Sequence, residues 1–433
     1  MARRSNRREF MQTSAVIGAG YFAAAGLQAA PSKSANEQIN FACIGIGGKG
    51  ESDSNDARSS GNIVAVCDID ESTLDKGKVR FPGAKTYFDF RKMLETEKNI
   101  DAVTVSTPDH CHAVAAAMAM RLGKHCFTQK PLTHSIFEAR TLANIAKEKG
   151  VATQMGNQGT ASSYLRKAAA AIKAGTLGKV TEVHVWTNRP VWPQGLDRPT
   201  EKVETPKSIH WNEFLGPAPE RPYHPAYHPF KWRGWWDFGT GALGDMACHT
   251  LNMPYAALGL HDPTSVVAET SGHNKETYPS WSVINFEFPA TKERGPIKFI
   301  WYDGGKKVDP AMLKGKKLTD SGALIIGDKG RMYAEGDYAD QKIHYIECDE
   351  PDVEFKKSPG HFQEWVNAIR GGEPAMSNFP NYAGPLTETI LLGNLAVWAS
   401  GKKIEWDAKN MVATNAPEVA KIIKHEYRTG YTL

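Results

Sequence analysis

The stretch INFACIGIGGKG, Ile39 to Gly50, decides the fold. It begins as a short, apolar, β-prone run and ends in glycines. Gly45, Gly47 and Gly50 have the GxGxxG spacing. Glycines so placed after a strand let the backbone turn tightly and approach a pyrophosphate, while the N-terminus of the next helix offers amide donors. The spacing alone is common in loops, but here Asp68 closes the next strand-like run, NIVAVCD, eighteen residues after Gly50. Asp68 would accept hydrogen bonds from an adenosine ribose. Asp68 and Asp70 would both repel a 2′-phosphate, so NAD is expected rather than NADP. Gly45, Ile46, Gly47, Gly48, Lys49 and Gly50 are the candidate loop contacts. The segment that follows, ESDSNDARSSG, is a poor helix by propensity, and only a short helix capped by Ser or Asp is expected there.

Downstream, strand-like IDAVTVSTP (100–108), a helix-like segment over 113–121, KHCFTQKP, a helical pattern over 135–148 and VATQMG alternate. Such alternation predicts a doubly wound parallel sheet, an α/β Rossmann domain over 39–158. Past residue 179 the rhythm changes to strand-like segments separated by turns: KVTEVHVWT, TSVVAETSG, SWSVINFEF, IKFIWYDG, GALIIGD, GRMYAEG and KIHYIECD. These predict an open, mainly antiparallel sheet in an α+β domain over 159–433. Two late helices are expected, one with Phe362, Trp365, Val366 and Ile369 on one face and one from Leu386 to Ala399. Between the halves, Trp192 to Trp236 carries five of the eleven tryptophans, at 192, 211, 232, 235 and 236. Indole faces can stack on sugar rings, although at least half of these side chains are expected simply to pack the segment down.

Two further constellations carry chemistry. FTQKPL places Lys130 at the C-terminal end of a parallel strand, where ligands sit in such sheets. In GTGALGDMACHTLNMP, Asp245 and His249 are four apart, one face of a helix. With Thr107-Pro108-Asp109-His110-Cys111-His112 and Gln129-Lys130-Pro131, the whole resembles the Gfo/Idh/MocA family of oxidoreductases from residue 39 to about 430. The resemblance implies a Rossmann domain followed by a C-terminal sheet often used for homo-oligomerisation, with Lys130 and His249 facing the nicotinamide. It also brings Ser106, Thr107, Pro108, His110, His112 and Gln129 into the cofactor set. The family's glutamate is Gln129 here, so a negative charge beside Lys130 is lost. His249 is the expected base, Lys130 the stabiliser of a developing alkoxide, and Asp245 the group that orients a base or a hydroxyl. Asn157 and Gln158 are weaker candidates for the nicotinamide ribose or amide. Trp232, Arg233 and Trp236, with His224, Tyr227 and His228 nearby, are candidates for the substrate pocket. His110 and His112 need no metal to explain them, and none is expected.

Upstream, residues 1–30 order themselves as a basic start, an apolar run from Ala15 to Ala25 and small residues to Ala30, followed by a linker over 31–38. Arg7 and Arg8, then Glu9 and Phe10, resemble a twin-arginine export signal cleaved after Ala29 or Ala30. The formal charge is +4, of which four arginines less one glutamate in this leader account for +3. The near-neutral remainder argues against nucleic acid as a partner. No later run is apolar enough to span a bilayer. The six cysteines are widely spread and read as unpaired. Twin-arginine export carries folded proteins to the periplasm or beyond, so a cofactor bound inside would travel with the chain, stay tightly held and be restored in each turnover. Two enzyme activities meet that demand, an NAD-dependent oxidoreductase acting on a hydroxyl of a sugar, glycoside or polyol and, second, an NAD-dependent glycoside hydrolase working through transient C3 oxidation. A third reading, a non-catalytic NAD-bound sugar-binding protein, is disfavoured by the presence of both Lys130 and His249.

Overall fold

The computed structural model describes residues 38–339 and 341–433. The expected export leader and most of the linker lie outside the described residues. Among the described residues, no helix is long and apolar enough to cross a membrane.

The first sheet has six strands, β1 (Ile39–Ile44), β2 (Gly61–Cys67), β3 (Lys85–Tyr87), β4 (Ala102–Val105), β5 (His125–Thr128) and β6 (Thr153–Met155), in the order β3-β2-β1-β4-β5-β6. Every pairing is parallel. Helices cross between successive strands, among them Asp109–Arg121 and Ile136–Lys149. The strand order reverses between β1 and β4, the crevice where such sheets bind ligands. The edge strand β3, with the helices Glu71–Arg80 and Phe90–Thr96 around it, has no strong apolar period and is not evident in the sequence.

The helix after the glycine loop runs from Lys49 to Ser60, twelve residues, with Gly48 at its N-cap and no side chain capping it. It is longer than the sequence leads one to expect, and its cap differs from the expected Ser or Asp. Tertiary contact overrides propensity here. Gly50, Asp53, Ser54 and Ala57 form its buried face, and they are small enough to let the helix lie against the strands.

The second sheet has nine strands: β7 (Val180–Trp186), β8 (Ser265–Thr270), β9 (Ser282–Phe288), β10 (Ile297–Tyr302), β11 (Gly322–Gly327), β12 (Arg331–Glu335), β13 (Ile343–Ile346), β14 (Ile404–Asp407) and β15 (Val412–Ala413). Their order is β13-β12-β11-β7-β10-β9-β8-β14-β15. The sheet is antiparallel except that β7 and β10 pair in parallel, because the chain leaves β7 through the tryptophan-rich segment and returns to the sheet only at β8. Helix Gly384–Trp398 lies across β8 and β9. Helix His361–Ile369 goes elsewhere: Trp365 is fully buried against Phe41 of β1 and Phe127 of β5, at 5.8 and 5.7 Å between ring centroids. The later part of the chain thus completes one layer of the first sheet, across the division expected at residue 158. All six cysteines are free thiols, five of them buried.

Candidate active site

A single cavity of about 680 Å³ runs over the C-terminal ends of the parallel strands. Its floor is the glycine loop. A Cβ at Gly50 would lie 2.0 Å from the carbonyl oxygen of Gly45, so helix and loop touch backbone to backbone. Gly45 has φ +76° and Gly48 φ +53°, the left-handed region that glycine enters without penalty. Asp68 faces the same cavity, accepting the amide of Ile46 at 2.9 Å on one oxygen and that of Asp70 at 3.1 Å on the other. Burial pushes its carboxyl upward and those amides counter the shift. Gly47, Gly48, Lys49, Ser106, Thr107, Pro108, Gln129 and Gln158 line the cleft as well, while Ile46 contributes its amide and tucks its side chain inward. The close backbone approach, the uncapped helix start and a carboxylate one strand away fit a dinucleotide: pyrophosphate at the loop, ribose at Asp68, nicotinamide toward β4 and β5.

At that far end stand Lys130 and His249, both lining the cleft. Lys130 follows β5 and donates through Nζ to the Asp245 carboxylate at 2.6 Å and to the Asp245 carbonyl at 3.0 Å. Asp245 and His249 both lie on helix Gly241–Thr250, buried. Burial works to raise the Asp245 carboxyl, but the Lys130 ammonium and Arg233 guanidinium overcome it and hold the group well below the usual carboxylate range. The charge absent at Gln129 is therefore supplied by Asp245. Gln129 instead donates to Asp53 at 2.9 Å, and Ser106 donates to the same carboxylate at 2.7 Å. His249 packs edge-on against Tyr338 at 4.6 Å, and its Nδ1 is buried with no hydrogen-bond partner. Burial first, then the Lys130 ammonium, pushes its imidazole well below the usual histidine range.

Arg233 joins this charge cluster. It pairs with Asp109 at 2.9 Å and with Asp245 at 3.2 Å, while its guanidinium lies 4.3 Å from the Trp232 ring. Trp232, Arg233 and His228 line the cleft.

Other expected contacts sit elsewhere. The His110 ring nitrogens meet the carbonyls of Phe238 and Phe214 at 3.1 and 2.7 Å, inside an aromatic cluster whose Phe214 lines the cleft while His110 itself does not. His112 bridges the carbonyls of Pro131 and Thr107, both at 2.8 Å, so it ties the loop after β4 to the residue after Lys130 and does not itself face the cavity. Asn157 accepts from Ser377 at 2.6 Å, buried behind the site. Trp236 stacks on Tyr278 at 3.7 Å and donates to the Thr277 carbonyl, so it is a packing residue outside the cleft. Trp235, Trp211 and Tyr227 pack around Phe238, and His224 faces Glu201. Gly50 and Asp245 act behind the cavity wall rather than at its surface. Sequence reasoning missed Asp53 and Asp109, which hold the cofactor loop and Arg233, and Tyr338. Asp53 shares the buried helical face of Gly50 and was findable once that helix was placed. Tyr338 carries no motif.

Residues 13–157 match the model of the Gfo/Idh/MocA oxidoreductase family, NAD-binding Rossmann fold, and residues 172–433 match that family's C-terminal alpha/beta domain. Levoglucosan dehydrogenase of Pseudarthrobacter phenanthrenivorans is 23% identical over 201 residues, 44% of this chain and 41% of the relative. Myo-inositol 2-dehydrogenase of Thermotoga maritima is 26% identical over 135 residues, 31% of this chain and 40% of the relative. The matched stretches cover 30–41% of the lengths of these and two other curated relatives. The WlbA dehydrogenase of Bordetella pertussis, solved with NADH and UDP-GlcNAcA, shares the fold at a TM-score of 0.61 and 19% identity, over 86% of this chain and 99% of that one.

Proposed function

Because this chain belongs to the Gfo/Idh/MocA oxidoreductase family, we propose that it is an NAD-dependent oxidoreductase acting on a CH–OH group of an uncharged sugar, glycoside or related polyol. The observation that carries the reading is the meeting of Lys130 and His249 in the same cavity as the glycine loop and Asp68. A nicotinamide bound there would supply the hydride acceptor. Lys130, fixed by two bonds to Asp245, holds its ammonium for the reacting oxygen and stabilises charge as it develops there. His249, kept neutral by its surroundings, lines the same cavity and takes the hydroxyl proton on its imidazole. The arrangement is already charge-balanced, with Lys130 and Arg233 facing Asp245 and Asp109, which favours a neutral substrate over an acidic one. Trp232, with the Arg233 guanidinium 4.3 Å from its ring, lines the same cavity and brings an indole to the substrate. Relatives named for levoglucosan and myo-inositol support a neutral polyol.

The same proposal holds that the chain is exported folded through the twin-arginine machinery to the periplasm, with NAD loaded beforehand, tightly held and recycled, and that it assembles through its C-terminal sheet. Arg7, Arg8 and Phe10 and the absence of any disulfide among the described residues support that route. The test is to purify the protein, measure nucleotide absorbance, and challenge it with neutral sugars and an aryl glycoside. Reduction of bound NAD by a sugar without release of the aryl alcohol is expected. Aglycone release without an added acceptor would replace this reading with the hydrolase, and bound nucleotide unresponsive to all sugars would replace it with a binding protein.

A further inference from the structure

The segment from His425 to Leu433 leaves the second sheet region and returns to the first, a path that the proposed chemistry does not require. Tyr431 lines the dinucleotide cleft and is 8% exposed. Its neighbours in the cavity wall are Asp89 and Phe90, which follow edge strand β3. In the observed strand order, β3 lies beyond β2 and Asp68, on the side away from Lys130. With pyrophosphate at β1 and ribose at β2, that side of the cleft receives the adenine.

Several contacts hold Tyr431 there. Arg91 is clamped by Asp89, with 2.9 Å bonds from Nε and Nη2, and donates from Nη1 to the carbonyl of Gly430 at 3.1 Å. Its guanidinium lies 4.4 Å from the Tyr431 ring centroid. Arg428 stands 5.8 Å from the same ring and donates to the carbonyls of Asn212 and Gly216, at 2.7 and 3.1 Å, the first within helix Trp211–Leu215 and the second at its C-cap. Gly430 has φ +92°, a backbone conformation that side chains other than glycine rarely adopt, and it is the turn that brings Tyr431 inward. Upstream, the Tyr427 hydroxyl donates to buried Glu138. A long-range tether anchored at each of these points, ending in a ring packed against the Arg91 guanidinium, is more construction than a surface tail needs.

We propose that His425–Leu433 is a clasp for the adenosine half of the dinucleotide, with Tyr431 as its aromatic wall. The clasp slows cofactor release, which is what a chain that must keep its nucleotide requires. It rests on the dinucleotide reading of the cleft, and it adds a binding element outside both the glycine loop and the catalytic end. Ring contact with a base contributes about 0.5–1.5 kcal/mol, or roughly a 2- to 13-fold change in affinity.

The test compares the native protein with Tyr431→Ala, Tyr431→Phe and Arg91→Gln. It reads NAD release by trapping, and the affinities for AMP and nicotinamide mononucleotide by calorimetry. Tyr431→Ala is expected to speed NAD release and weaken AMP by roughly 2- to 13-fold, to leave nicotinamide mononucleotide unchanged, and Tyr431→Phe is expected to behave as native. Arg91→Gln is expected to speed release in the same direction and decides the matter should Tyr431→Ala fail to fold. Unchanged AMP affinity and release in both Tyr431→Ala and Arg91→Gln would overturn the clasp while leaving the dinucleotide site intact. Equal losses for both half-ligands would overturn it too, since a general loosening has no preference for adenosine. Native protein that binds neither NAD nor AMP would instead sink the dinucleotide reading, and the clasp with it.

Discussion

At His249, burial and the Lys130 ammonium push in the same direction, toward the neutral ring. A neutral imidazole is the form that accepts a proton, and it is lost only when pH falls through the lowered value. The acid limb of kcat/KM is therefore expected below about pH 6.5, the ordinary histidine value. A limb at or above that value would show that another group titrates. Replacing Lys130 with Met removes the ammonium at the reacting oxygen and is expected to lower kcat by about 10²–10³-fold. It also takes one of the cations paired with the buried Asp245 carboxylate, so urea unfolding should be measured alongside. Arg233→Met leaves Asp109 without its nearest cation and takes a second one from Asp245. The loss of stability is expected to be about 3–5 kcal/mol, because an unpaired buried charge costs more than the pair contributes.

The glycine loop shows what an element's sequence reveals. Its spacing is local, so the strand, the turn and the carboxylate at Asp68 were all legible from residue order, and so were Lys130 and the Asp245–His249 helix. The buried place of Asp53 follows from its helix, but its partners Ser106 and Gln129 are distant in sequence and only the fold brings them to it. Tyr431 was hidden for the same reason, since its partner Arg91 lies far upstream. His110 and Trp236 misled in the opposite way: residue types suited to a ligand site are here satisfied by backbone carbonyls and stacked rings. The helix Lys49–Ser60 was under-read because propensity ignores the close backbone packing that stabilises it. Gly50→Ala should drive a methyl group into the Gly45 carbonyl and abolish NAD binding by calorimetry. Helix His361–Ile369 offers a second check. Trp365→Ala empties the contact with Phe41 and Phe127, and a loss of about 3–5 kcal/mol is expected in urea unfolding.

The charges of the whole molecule also bear on its stability. Burial holds His110 at about 4 and His134 well below the ordinary value, so both are neutral in the folded chain. In the unfolded chain they protonate near pH 6.5. Between about pH 6.5 and 4 the unfolded state thus binds more protons, and these groups make stability fall as pH falls. Glu138, raised to about 7, and Asp303, raised to about 6, both by burial, act in the opposite sense and offset part of that loss. Replacing His110 with Gln is expected to flatten the acid side of the urea midpoint against pH. The most direct test of the central claim is a single turnover of the NAD-loaded protein with a neutral sugar deuterated at its carbinol carbons. Deuterium should appear in the reduced nicotinamide of the native protein, and its transfer should be at least about 10²-fold slower in His249→Ala and Lys130→Met, both still holding NAD. Undiminished transfer in those two variants, or no transfer from any neutral sugar to a nucleotide that is plainly bound, would contradict it.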